Sequence, residues 1–424
     1  MTVHQTEDLL VSVLIQLIVI ILAARLAGNL ARRVGQPRAV GEIVAGLLLG
    51  PSLFGYFLPD LSSAVFTADA SAPMQVLSQI GLILLMFQIG CDFEFGHLKS
   101  ARNRRAVSLI AITSVAAPLM TGFLMGWLSH GILAPDIDRL IYSLFTAIAF
   151  AITAVPILGR ILREYDLTRS EIGVVAISAA AGNDVVGWVL LALIAALASA
   201  GLTASSLAAQ LAGLAAFGLV LRFGGSRLVG LLMARVPVSG GQVPLSAMAI
   251  IFASIFACGI ATQKLGIFTI FGGFALGLLF HRHTEFVEAW RRQVGQFVLV
   301  FFLPVFFTYT GLRTNVLGLV TAQDWLWCAG IFAGATLSKI IPVFFAAKAA
   351  GFAPPEASIL GVLLNTRALM ELIALNVGLS LGFIPQNVFT MLVLMAISTT
   401  IMTGPLLRIL LPRAGIRIGK LLEA

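Results

Sequence analysis

Residues 182–188 read Gly182-Asn183-Asp184-Val185-Val186-Gly187-Trp188, and they stand near the middle of an apolar run that extends from 170 to 199. A bilayer-spanning helix needs about 20 mostly apolar residues, so this run is long enough to cross a membrane with an aspartate at its centre. No basic residue lies within a helical turn of Asp184. A charge at the centre of a lone span costs at least about 2.5 kcal/mol, so it needs a partner, a water cavity or a function. One reading is a protonated acid satisfied by a neighbouring helix. The functional reading is a carboxylate that binds either a proton or a dehydrated cation. Adjacent helical residues point about 100° apart, so Asn183 offers an amide oxygen from the side or orients the site.

The composition places this run in context. The chain has 424 residues, 59% hydrophobic and 11% charged, with a mean hydropathy of +1.01. Soluble domains carry about 25% charged residues, so a soluble enzyme and a disordered chain are both excluded. The net charge of +8 fits Lys and Arg concentrated in cytoplasmic loops better than nucleic-acid binding. The three cysteines, Cys91, Cys258 and Cys328, have neither metal spacing nor a disulfide framework. There is no Walker-type phosphate loop, so ATP is not expected to drive the protein through a site of its own. No cofactor and no enzymatic activity are expected.

Thirteen apolar runs are long enough to span, at 9–25, 39–55, 75–91, 105–129, 140–162, 170–199, 206–222, 243–262, 266–281, 294–312, 325–348, 355–378 and 384–410. The first is not a cleaved signal peptide, because Glu7 and Asp8 precede it and Arg25, Arg32, Arg33 and Arg38 follow it. With the N-terminus outside, 22 basic residues fall inside and only Arg139, Lys264 and Arg313 fall outside. Thirteen spans with the C-terminus in the cytoplasm follow. The basic cluster Arg102, Arg104 and Arg105 is first a topology signal and then a lipid contact.

The runs also repeat. Ile43 to Gly50 in span 2 matches Ile270 to Gly277 in span 9, and Phe87 to Gly90 in span 3 echoes Thr308 to Gly311 in span 10. Thr153 in span 5 corresponds to Thr366 in span 12. Each match pairs spans seven apart, so the copies face opposite ways. Inverted repeats with interrupted helices are the mark of secondary transporters. The first repeat covers 1–206 (spans 1–6), a linker helix and cytoplasmic loop cover 207–242, and the second repeat covers 243–424 (spans 8–13).

Besides Asp184, four ionisable residues fall inside spans: Glu42, Lys339, Arg367 and Glu371. Span 5 carries Thr153-Ala154-Val155-Pro156 at its centre. Pro156 has no N–H to give the carbonyl of Ile152, and freed carbonyls beside a Thr hydroxyl suit a cation stripped of water. Its symmetry mate is Asn365-Thr366-Arg367, a polar interruption without proline. Arg367 and Glu371 are four apart and pair on one helix face. Lys339 is too central to snorkel and needs an acid or carbonyl from another span. Glu42, near the cytoplasmic end of span 2, serves as an interface anchor or lines a gate. Ser178, about one and a half turns before Asp184, is either bonded to its own helix or facing the same cavity.

These residues together resemble the monovalent cation:proton antiporter-2 family. The resemblance covers nearly the whole chain. It rests on Gly41-Glu42, Gly46 and Gly50-Pro51, on Phe87 to Gly90, on Thr153-Ala154-Val155-Pro156, on Asn183-Asp184, on Ser338-Lys339 and on Asn365-Thr366-Arg367 with Glu371-Leu372-Ile373. The last string is most similar to plant cation/proton exchangers and their bacterial relatives.

The resemblance implies an all-α polytopic membrane protein of about 13 spans, in which two discontinuous helices, spans 5 and 12, cross beside Asp184. It implies a core of spans 3–6 and 10–13 moving elevator-fashion against a scaffold that dimerises, and a bacterial inner membrane as the location. Relatives with an acidic pair at 183–184 tend to be electrogenic and those with Asn-Asp electroneutral, so Asn183 implies electroneutral exchange. In the family the lysine matching Lys339 pairs with the first acid of that pair. Here that acid is missing, leaving Glu371 or a broken-helix carbonyl as its partner. The expected function is exchange of Na⁺ or K⁺, held at Asp184, for H⁺. A sodium-coupled symporter of an organic anion and a cation channel are the alternatives.

Overall fold

A computed structural model describes residues 3–92, 101–168, 170–199, 204–236, 238, 241–265 and 269–416. His97, Lys99, Arg169, Arg417, Lys420 and the side chain of Arg102 lie outside the described residues. The described chain is almost wholly helical. Its helices are α1 (Val3–Arg33), α2 (Arg38–Leu48), α3 (Phe54–Phe57), α4 (Pro59–Val65), α5 (Ser71–Cys91), α6 (Ala101–Leu133), α7 (Arg139–Ala151), α8 (Val155–Glu164), α9 (Glu171–Ser199) and α10 (Ala204–Leu219). They continue with α11 (Ser226–Arg235), α12 (Leu245–Lys264), α13 (Thr269–Phe280), α14 (Thr284–Trp290), α15 (Leu303–Leu312), α16 (Ala322–Ala349), α17 (Pro354–Leu364), α18 (Leu369–Ser380) and α19 (Gln386–Arg413).

Among the described residues, eleven helices are long and apolar enough to cross a membrane. The two runs that complete the predicted thirteen are the second and the ninth. They form α2 and α13, of 11 and 12 residues. At 1.5 Å per residue these helices reach about 17–18 Å, short of a hydrocarbon core of about 30 Å. In α2 the stop is local: Pro51 disfavours helical backbone at the residue before it, Gly50.

Within the 207–242 linker, a π-helical stretch, Val220–Gly225, joins α10 to α11. The segment 212–235 is itself a candidate span. Arg222 and Arg227 therefore stand on a helix, where long side chains reach outward along it.

The chain divides into two compact units. One comprises Met1–Ile21, Ser63–Glu94 and Ala192–Tyr309, and the other Leu22–Ser62, Phe95–Leu191 and Thr310–Ala424. In the first, α13 lies so close to α5 that a Cβ on Gly277 would overlap the carbonyl of Phe87, and one on Gly90 the carbonyl of Phe274. In the second, a Cβ on Gly311 would overlap the carbonyl of Gly46, and one on Gly50 the carbonyl of Gly311. Gly46 and Gly50 are the repeat mates of Gly273 and Gly277, and Gly90 is the mate of Gly311. The same glycine-mediated backbone contact is thus made twice, each time between a short helix of one repeat and a helix end of the other.

Candidate functional site

The site lies within the second unit, where two helices break. Asp138 caps α7, its side chain accepting from the N–H groups of Leu140 and Ile141 at 3.0 and 2.9 Å. The helix stops at Ala151, and Ile152 and Ala154 are extended. It restarts as α8 with Pro156 in its first turn, where a missing N–H costs nothing. The second break lies between α17 and α18, over Asn365 to Ala368. Ala368 adopts φ +77°, a backbone conformation that costs a non-glycine residue about 1–3 kcal/mol.

The two breaks meet. The N–H of Ala154 donates to the carbonyl of Thr366 at 3.1 Å. The hydroxyl of Thr153 donates to the carbonyl of Leu364 at 3.4 Å. Each extended stretch thereby satisfies backbone groups that its partner's interruption exposes.

Two cations close the remaining gaps. Lys339 on α16 is fully buried, and its Nζ donates to the carbonyl of Ala151 and, at 3.3 Å, to that of Ile152. The carbonyl that Pro156 leaves free is therefore taken by Lys339, which settles its partner as a broken-helix carbonyl rather than Glu371. Arg367 donates from Nη1 to the carbonyl of Ala149 at 2.9 Å and from Nη2 to that of Ala335 at 3.1 Å. It pairs with Glu371 at 3.8 Å, both groups fully buried. One guanidinium thus ties α7, α16 and α18 together.

Asp184 on α9 is 3% exposed, and neither carboxylate oxygen accepts a hydrogen bond from the described residues. The N–H of Val155, at the start of α8, and the ammonium of Lys339 act on it electrostatically.

Asn183 turns away from Asp184. Two rotations of its amide differ in hydrogen bonding. In one, Nδ2 donates to the Ser114 hydroxyl at 2.7 Å and to Thr153 Oγ1 at 3.4 Å. In the other, Nδ2 donates to the carbonyls of Ala111 and Ala179 at 3.1 and 3.2 Å while Oδ1 accepts from Ser114 at 2.7 Å. The second satisfies every group, and 2.7 Å is the usual length of an O–H···O bond rather than an N–H···O bond.

The second repeat echoes this contact, with Thr366 Oγ1 and Thr403 Oγ1 3.3 Å apart. On the same helix as Thr403, α19, the carbonyl of Gly404 accepts from Tyr165 at 3.1 Å. The Asn365 Oδ1 is buried without a partner.

Of the residues singled out in the sequence, Thr153, Thr366, Lys339, Arg367 and Glu371 are joined by these contacts, with Asn183 3.4 Å from Thr153 Oγ1 and Asp184, Pro156 and Asn365 beside them. Ser178 is not among them. It is half-buried on α9, and six residues along a helix turn it about 120° from Asp184. Glu42 lies apart, 4% exposed, with Arg160 of α8 at 3.4 Å and Arg25 of α1 at 3.8 Å. Ser114 escapes sequence reading; its signal was a serine in mid-span with Pro118 four residues later in the same helix. Among the described residues no group of three His, Cys, Asp or Glu is placed to hold a metal ion.

Comparison with known proteins gives a consistent result. The sequence profile described as "Sodium/hydrogen exchanger, transmembrane" matches residues 18–413. The Na⁺/H⁺ antiporter NhaS4 of Synechocystis sp. is 34% identical over 401 residues, covering 94% of this chain and 96% of that protein. Cation/H⁺ antiporter 17 of Arabidopsis thaliana is 34% identical over 400 residues, 94% of this chain and 48% of its own length, so the chain spans about half of that relative. The solved structure of the sodium proton antiporter MjNhaP1 from Methanocaldococcus jannaschii superimposes with a TM-score of 0.61 at 16% identity, covering 94% of this chain and 96% of that one. At that identity the likeness speaks for the fold. With eleven apolar helices, crossed helix breaks and a profile match over nearly its whole length, the chain is a multi-pass integral membrane protein that belongs to the sodium/hydrogen exchanger family.

Proposed function

We propose that the chain exchanges a monovalent cation, Na⁺ or K⁺, for protons, and that Asp184 carries each in turn. The observation that carries this reading is a buried carboxylate whose two oxygens have no hydrogen-bond partner among the described residues, set beside two helix breaks. An empty charged carboxylate is costly to move through a low-dielectric barrier, whereas its protonated or cation-loaded form is not. Competition for one group therefore couples the two fluxes. Thr153 supplies a further cation ligand, while Lys339 and Arg367 hold the break open as fixed counter-charges.

With Asn183 neutral, one carboxylate titrates per cycle, and exchange is one-for-one and electroneutral. The distribution of basic residues supports an N-terminus outside and a C-terminus in the cytoplasm of a plasma membrane. Glu42, tied to Arg160 on the cytoplasmic half-helix α8, forms part of the inner gate. The unit holding the crossed helices is the moving body, and the protein works as a homodimer.

Purified protein in proteoliposomes with an imposed ΔpH tests the reading. Dissipation of ΔpH on adding Na⁺ or K⁺, with the same rate whether or not a membrane potential is imposed, supports it. No cation-dependent dissipation across the alkali series overturns the function, and a clear response to potential overturns the stoichiometry.

A further inference from the structure

Asn183 is fully engaged, and its partners lie on α6 and on its own helix. Two backbone carbonyls, Ala111 O and Ala179 O, take both protons of its amide, and the Ser114 hydroxyl occupies its oxygen. Ser114 is itself fully buried. Its alternative acceptor, the carbonyl of Ala111 at 3.2 Å, is longer and belongs to its own helix. The amide oxygen that Ser114 holds lies 3.4 Å from Thr153 Oγ1, in the first helix break. One chain of contacts therefore runs from α6 through Ser114 and Asn183 to Thr153, passing the residue next to Asp184.

We infer that Ser114 is a positioning residue for the ion site: it clamps α6 to α9 through Asn183 and so fixes the turn of α9 that presents Asp184 to the broken helix. Asn183 is the jaw of this clamp and not a ligand of the transported ion. Its two donors face carbonyls and its oxygen already accepts from Ser114, so a cation there would share that oxygen with a buried hydroxyl and find only one lone pair open. The inference rests on the exchange reading above and adds a third helix to its site.

The clamp and ligand roles of Asn183 differ in sign when the Ser114 hydroxyl is removed. Freeing an amide oxygen that ligates the cation would tighten binding, because a buried acceptor without a partner gains most from a new one. Loosening a clamp weakens binding, because Asp184 is no longer held in register with the helix break. Thr113, one residue before Ser114, donates only to carbonyls of its own helix, Leu109 and Ile110, at 2.8 and 3.3 Å. It supplies a control for loss of a hydroxyl from α6.

The test is cation-dependent ΔpH dissipation by the full chain in proteoliposomes, with KM and kcat measured for whichever alkali cation the unaltered protein carries. Ser114→Ala is expected to raise the cation KM about fivefold, the equivalent of one ordinary hydrogen bond, with kcat within about twofold. Ser114→Thr, which keeps the hydroxyl, and Thr113→Ala match the unaltered protein. Asn183→Ala raises KM to the same degree, and the double variant Ser114→Ala/Asn183→Ala is no worse than either single change. If Ser114→Ala does not fold, Ser114→Cys, with a far weaker donor of similar shape, makes the same comparison. The upward shift of melting temperature with cation concentration gives a second reading of affinity. A KM that is unchanged or lowered, a fall in kcat at constant KM, or an equal effect of Thr113→Ala overturns the clamp. If the unaltered protein shows no cation-driven dissipation, the exchange reading fails and the clamp fails with it. If the unaltered protein exchanges and Ser114→Ala is indistinguishable from it, only the clamp fails.

Discussion

The N–H of Ala154 donates to the carbonyl of Thr366 across 3.1 Å, and this single bond joins the two interrupted helices at their breaks. Extended backbone inside a bilayer is tolerable only where protein satisfies its polar groups. Here Ala154, Thr153, Lys339 and Arg367 each supply a donor to a carbonyl at or near a break. Asp184, beside the crossing, and Glu371 are buried acids whose oxygens accept no hydrogen bond among the described residues, but Glu371 has the guanidinium of Arg367 at 3.8 Å.

Replacing Lys339 by methionine keeps its length and removes its donors. The carbonyls of Ala151 and Ile152 then lose their buried partner, at a cost of about 1–3 kcal/mol each. We expect Lys339→Met to melt several degrees below the unaltered protein in detergent, at every pH where both remain folded. A melting temperature equal to that of the unaltered protein would show that these carbonyls find another partner.

Arg367 and Glu371 are paired but not equivalent. Removing the arginine strands a buried carboxylate and two carbonyls, and breaking a buried ion pair from one side costs about 3–5 kcal/mol. Glu371→Gln leaves Arg367 with its bonds to Ala149 and Ala335, so its cost is smaller. The double change Arg367→Met/Glu371→Gln regains part of what Arg367→Met loses. Thermal melts of the three variants check both the order and the recovery.

Much of this was legible in the sequence, for physical reasons. Interrupted helices announce themselves where a proline or a polar string stands inside an apolar run, as at Thr153 to Pro156 and Asn365 to Arg367. The spacing of Arg367 and Glu371 suggests one helix face, and the pair does form, but with Arg367 reaching Glu371 from the break before α18. The partner of Lys339 was left between two candidates because carbonyls carry no sequence signature. Ser114 was invisible for a related reason: serines in spans usually bond their own helix, and only the register of α6 against α9 reveals that this one reaches Asn183. The sequence overstates the length of α2 because hydropathy counts apolar residues and does not see where backbone turns.

The repeat makes a paired prediction. Gly277 and Gly50 stand in corresponding contacts, each pressed against the backbone of a helix from the other repeat. Gly277→Ala and Gly50→Ala both force a methyl onto a carbonyl, and overpacking of this kind costs about 1–3 kcal/mol or more. We expect both to lower the yield of folded protein and its melting temperature to similar degrees. Tolerance of one and not the other, read by size-exclusion profile and melt, would contradict the equivalence of the two contacts.

Asp184→Asn is expected to abolish cation-dependent exchange while leaving the fold intact, because an amide is isosteric with the carboxyl and removes a buried charge. Transport in proteoliposomes together with a melting curve separates these effects. A folded but inactive variant is the expected result.

The central claim is that proton and cation share Asp184, and the most direct test is the apparent cation KM of the unaltered protein measured across pH in proteoliposomes. Competition for one carboxylate predicts that, on the acidic side, KM rises about tenfold for each unit that pH falls, while the maximal rate at saturating cation stays constant. A KM independent of pH, with the maximal rate falling instead, would mean separate sites and would contradict the account.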